Sequence, residues 1–150
     1  MTRILTVPVL FLFGVVAAAD EGAGKKFLKE LEGTYAATSM TKGGEKATDD
    51  LLSSVVSITI KGESLIVRLK GEKEEDHAGT LLVDVTQKPI AIDMTPKDGP
   101  NAGKPMLGII KVDKDAVTIC WADRGDATAR PKEFSSTKEN RQFLIVMKKK

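Results

Sequence analysis

The sequence predicts an all-β fold: an antiparallel up-and-down β-barrel of about eight strands, with a short N-terminal helix and one further helical turn. Three observations lead there. From residue 56 onward, apolar residues recur at every second position in short runs, the period of a strand with one buried face. Short turns containing Gly, Asp, Lys or Gln separate these runs at fairly even spacing, so neighbouring runs connect as hairpins. No long helical stretch stands between them, although parallel strands would need one to cross over. A closed barrel is preferred to a sandwich because closure removes the exposed edges.

Each element follows in chain order. Arg3, the apolar run Ile4 to Val16 and the small residues Ala17-Ala18-Ala19 have the composition of a secretory signal peptide. The run is shorter than the roughly 20 residues of a transmembrane anchor, and Asp20 and Glu21 follow it at once. The expectation is a signal peptide over 1–19 and a single domain over 20–150, exported to a periplasmic or extracellular location without a transmembrane anchor. Ala23 to Leu31 reads as a helix with Phe27, Leu28 and Leu31 on one face and Gly33 as its stop. Thr34 to Met40 reads as the first strand, and Thr48 as the cap of a helical turn opened by Asp49 and Asp50.

The remaining strands come from alternation. Val56, Ile58 and Ile60 pair across a Lys61-Gly62 turn with Leu65, Val67 and Leu69. Leu81 to Val85, Ile90 to Met94, Leu107 to Val112, Val117 to Trp121 and Phe143 to Met147 continue the meander, with a short further strand near Glu133 to Ser135. The charged run Glu74-Glu75-Asp76-His77 is expected to be a solvated hairpin tip.

Charge and cysteine content exclude several classes. The net charge is +2 at pH 7, and loss of Arg3 with the leader brings basic and acidic side chains close to balance. Nothing recruits nucleic acid. Lys148 to Lys150 read as a solvated terminus. A single cysteine cannot form an internal disulfide, so the apolar core must hold the fold.

The stretch "VTICWADRGDATARPKEFSS" is the most suggestive for chemistry, because it sets the only cysteine beside the only tryptophan. Strand neighbours point to opposite faces, so Trp121 joins Val117 and Ile119 while Cys120 joins Thr118. Cys120 lacks a base close in sequence and reads as a buried small residue. The run with His77 lacks the ligand spacing of a zinc or EF-hand site. "DGPNAGKP" has the wrong glycine spacing for a phosphate loop, and Pro105 stands where its hydroxyl residue belongs. Arg124-Gly125-Asp126 is too short a match to signify adhesion. His77 has no nucleophile-elbow sequence to serve. The sequence therefore points to no catalytic residue, no metal and no cofactor, and the chain is read as a non-enzyme. Arg124, Arg130 and Lys132 are placed at one end of the barrel, where arginine forks suit an anionic head group.

The blocks "FLKELEGTYAATS", "KPIAIDMTPKDGPNAGKPMLGIIKVDKDAVTICWA" and "RPKEFSS" resemble a family of exported, uncharacterised lipocalin-like domains found mainly in planctomycete bacteria. The likeness spans residues 27–149 and implies a small β-barrel, with no implied activity. Gly33-Thr34-Tyr35 stands where lipocalins place Gly-x-Trp, with tyrosine replacing the tryptophan. The expected function is binding of a small apolar or amphipathic ligand, with Tyr35, Trp121, Arg124 and Arg130 as candidate contacts and the loops at 96–105 and 122–132 as lids. The alternative is a structural or protein-interaction domain of the cell envelope with a filled barrel. An aromatic content of 5% keeps that alternative close, since it argues against a large aromatic-lined pocket.

Overall fold

The period-two runs do pair as hairpins, and the computed structural model describes them through residues 21–123 and 129–150. The leader, residues 1–19, lies outside the described residues. The elements are α1 (Glu21–Glu30), β1 (Gly33–Lys42), β2 (Glu45–Lys46), α2 (Asp49–Ser54), β3 (Val55–Lys61), β4 (Ser64–Leu69), β5 (Glu75–Asp84), β6 (Ile90–Pro96), β7 (Met106–Asp113), β8 (Ala116–Trp121) and β9 (Phe143–Lys149). From β3 to β9 each strand pairs antiparallel with the next, and β3 also pairs with β1. β9 pairs back onto β1 from Tyr35↔Lys149 to Lys42↔Phe143 and closes an eight-stranded barrel. β2 is an extra two-residue strand against the end of β1.

The two barrel ends differ. At one end α1 and the turn that follows it lay Leu28 and Leu31 over Tyr35, Ile60, Leu81 and Val83, all of them buried. The Tyr35 hydroxyl donates to the Leu31 carbonyl at 2.6 Å, which satisfies an orphan carbonyl just beyond the helix. Burial pushes the Tyr35 phenol up from its ordinary range, so it stays a donor. Gly24 lets the α1 backbone sit on the Val83 carbonyl, where a Cβ would collide with the Val83 oxygen. At the other end, α2 begins at Thr48, whose Oγ1 accepts from the Leu51 N–H at 3.3 Å as its cap. Leu52 of this helix leans on the core.

Two bulges break the alternation. Ala37 pairs with Met147 and Ser39 with Val146, leaving Thr38 as an extra residue in β1. Val55 pairs with Leu69 and Ser57 with Arg68, leaving Val56 extra in β3. Each bulge shifts the inner row by one residue. Met40 and Lys42 therefore join Tyr35 and Ala37 on the inner side, and Val55, rather than Val56, extends the row of Ile58 and Ile60.

Two local expectations are corrected. β5 begins at Glu75, six residues before Leu81, so Glu75, Asp76 and His77 are strand residues and the hairpin tip lies before them. Arg68 faces Asp76 across the β4–β5 ladder and grips it with two bonds of 2.7 and 3.0 Å. Charged side chains suit a strand there because that part of the ladder is exposed. Residues 132–134 form bends, closed by a local Ser135 N–H to Glu133 carbonyl bond, and no strand forms there. Lys148 to Lys150 are exposed, as a solvated terminus requires, while Lys148 and Lys149 also extend β9, and the Lys149 ammonium lies 5.9 Å from the Tyr35 ring centroid.

Gly24→Ala provides a test of how tightly α1 is seated. Helix propensity alone would favour alanine by about 1 kcal/mol, but overlap with a backbone oxygen that cannot swing aside costs about 1–3 kcal/mol. Urea denaturation is expected to show a net loss of stability at unchanged m-value; a gain would show that α1 can lift off β5.

Candidate functional site

Inward-facing residues of the other half of the barrel do not meet at the axis. They enclose a cavity of about 470 Å³, within the range of small-molecule pockets. Its wall is predominantly apolar. Ile58, Leu65, Val67, Leu69, Ile119 and Ile145 supply aliphatic surface, and Met40, Met94, Met106 and Met147 supply thioethers. Trp121 and Phe143 are the aromatic members. Trp121 fits because its ladder partner is Gly108: a Cβ there would stand 2.5 Å from the indole Cε3. The missing side chain on β7 makes room for the ring.

The mouth is polar. Lys42 from β1, Asp123 just after β8 and Arg141 just before β9 line it. Arg141 Nε stands 3.3 Å from Asp123 Oδ2. A tight turn presents Arg141: the Thr137 N–H donates to Asn140 Oδ1, the Asn140 N–H to Thr137 Oγ1, and the Arg141 N–H to the Thr137 carbonyl. Arg141 itself has φ 53°, a left-handed backbone that is costly for a residue with a Cβ.

The outer wall carries a second feature. Ala91, Ile109 and Cys120 lie side by side across β6, β7 and β8, facing outward, yet they are only 4%, 1% and 0% exposed. The chain between β8 and β9 supplies cover. The Cys120 thiol stands 3.4 Å from both the Ser135 carbonyl and Gln142 Oε1. Arg130 Nη1 donates to Asp93 Oδ1 at 2.6 Å and to the Gly108 carbonyl at 2.8 Å. Beside this clasp lies a shallow hollow of about 390 Å³ with Leu82, Asp84 and Gln87 on its walls. The Thr86 hydroxyl and N–H hold the Asp84 carboxyl below its ordinary range.

The candidate residues thus separate. Trp121 lines the cavity. Tyr35 lies at the plugged end under α1, away from the lining. Arg130 is on the outside of the barrel, committed to Asp93, because the strap that carries it, residues 129–142, is bonded to the outer wall through Arg130, Ser135 and Gln142. Arg124, with the Arg-Gly-Asp triplet, lies outside the described residues. Of the two loops, 122–132 contributes Ala122 and Asp123 to the lining, while 96–105 contributes nothing to it. Lys42 and Arg141 were not singled out by the sequence. A motif scan offers no signal for either one, since a bulge and a turn place them.

Cys120 and His77 are in different parts of the barrel. His77 Nδ1 is 3.3 Å from Asp98 and its Nε2 is 3.8 Å from Glu75. Among the described residues no group of three or more His, Cys, Asp or Glu is placed to hold a metal, and no helix is long and apolar enough to cross a membrane.

Burial raises the Cys120 thiol above its ordinary range, against a smaller opposing effect of the Ser135 backbone. The folded protein therefore holds the thiol proton more tightly than the unfolded chain. That contribution is fully present below the unfolded thiol value of about 8.5 and is lost as pH rises through the folded one. A thiol-labelling reagent is expected to react at the rate of unfolding, and midpoint denaturant concentration should fall above about pH 8.5 in the parent but less so in Cys120→Ala. Rapid labelling of native protein would show that residues 135–142 do not keep the thiol covered.

Comparison of the chain with known protein families, with curated proteins and with solved structures finds no significant match.

Proposed function

We propose that this chain is an exported, lipocalin-like barrel that holds a small apolar or amphipathic molecule in its interior without transforming it. The observation that carries this reading is the cavity of about 470 Å³ whose wall contains Met40, Met94, Met106 and Met147. These are all the methionines beyond Met1. Methionine is flexible and polarizable, so a wall made of it adapts to differently shaped apolar guests. An eight-stranded barrel has interior room for its own side chains or for one small ligand. The plugged end uses that room for Tyr35, Leu28 and Leu31, and the open half leaves it unfilled. This favours a binding barrel over an envelope domain with a filled interior. The leader composition of residues 1–19 supports export.

The test combines capture and competition. Native mass spectrometry and solvent extraction of protein purified from its own host should reveal a co-purified small molecule. A solvatochromic apolar dye should bind the emptied barrel and perturb Trp121 emission. Val67→Phe places a ring in the cavity and is expected to lower dye affinity by at least about tenfold, that is about 1.4 kcal/mol, while the melting temperature holds. If nothing co-purifies and no member of a hydrophobic panel raises the melting temperature, the binding reading falls.

A further inference from the structure

We infer that the guest is an anionic single-chain amphiphile whose acid group sits between Lys42 and Arg141 at the cavity mouth, with its chain among the methionines. This rests on the cavity-binding reading above. The first support is position. The Thr38 bulge turns Lys42 inward, and the β1–β9 ladder sets Lys42 opposite Phe143, two residues from Arg141. The Gly43 N–H donates to the Gln142 carbonyl at 3.2 Å and fixes the two segments together. Two cations thus share one sector of the rim of an apolar cavity.

The second support is charge. Among the described residues three ionic side chains line the cavity, of which Lys42 and Arg141 are cationic and Asp123 is anionic. Asp123 faces the Nε edge of Arg141, and the Arg141 side chain remains 70% exposed, with its terminal nitrogens available for a bidentate anion. Glu45 is the ladder partner of Lys42, but it is exposed and no ion pair joins them among the described residues. The acids Glu75 and Asp98 are engaged with His77 at the β5 sector. A carboxylate or phosphate between Lys42 and Arg141 balances the excess, where the low-dielectric wall strengthens the field.

The third support is backbone. Arg141 persists at φ 53°, where glycine or asparagine is the comfortable choice. The Thr137–Asn140 turn holds it there. An arginine kept in a costly conformation at a cavity mouth points to a use for its side chain.

Binding of dodecanoate, dodecyl phosphate, dodecanol and dodecyltrimethylammonium to the full chain, each below its micelle concentration, separates the cases. The anions are expected to bind at least about tenfold tighter than the alcohol, with the cation weakest and the gap narrowing at high salt. Arg141→Asn suits the left-handed backbone, and together with Lys42→Met it should reduce the anions to the alcohol's affinity while dodecanol binding holds. Preference for only one of the two anions identifies the head group. Equal affinity for anion, alcohol and cation overturns the head-group assignment and leaves the cavity reading intact. Failure of all four probes to bind overturns both.

Discussion

The β1–β9 ladder is the constraint on which the rest depends. It joins the first and last strands of the barrel, more than a hundred residues apart in the chain, and converts a meander into a closed surface with an inside. Without it β1 and β9 would present unpaired edges, and the inward rows would be one face of an open sheet. With it, Tyr35, Met40, Ile145 and Met147 become neighbours in one core. The loss of chain entropy on joining such distant strands is large, and the return comes only once the whole interior is formed. Closure and core are therefore one cooperative event.

The same ladder contains the Thr38 bulge, and here register sets the chemistry of the inner row. A strict alternation from Tyr35 would put residues 37, 39 and 41 inside. The extra residue substitutes Met40 and Lys42, so the inner row ends in a thioether and then an ammonium. Thr38 is held by a bond from its own hydroxyl to the Val146 carbonyl at 3.1 Å, so the irregularity is bonded to the partner strand. The two barrel ends then differ in chemistry: α1 and the Tyr35 hydroxyl seal one, while Lys42, Asp123 and Arg141 ring the other.

What the sequence discloses follows its periods. Alternation alone places Trp121 inward and Cys120 outward, places the hairpins and gives the strand count, because each depends only on neighbours along one strand. The apolar face of α1 is also legible, from Phe27, Leu28 and Leu31, although not the barrel end that it seals. What is illegible depends on register between strands. Nothing in "GTYAATSMTK" marks Thr38 as the extra residue, so Lys42 looks outward. Arg130 looks like a rim residue because its loop follows β8 at the open end, whereas residues 129–142 lie along the outer wall beside the outward apolar row of Ala91, Ile109 and Cys120. The charged start of β5 hides a strand, since Arg68 and Asp76 pair across it in water where hydrophobic pattern carries no signal.

That outer strap is not separate from the cavity. An exposed row of Ala91, Ile109 and Cys120 would be an apolar patch on the wall, and burying it under the strap removes that liability. The clasp that holds the strap fixes its arginine on the Ile92–Gly108 pair, donating to the Gly108 carbonyl at 2.8 Å and more weakly to that of Ile92 at 3.4 Å. On the inner side, the same glycine receives the Trp121 ring. A charge-assisted hydrogen bond contributes about 1.5–3 kcal/mol, so Arg130 stabilises the wall at the one position where the strand has no side chain of its own. The wall beside Trp121 is therefore held from outside by a residue that never faces the cavity, and the route is short: strap to Arg130, Arg130 to Gly108, Gly108 to the indole.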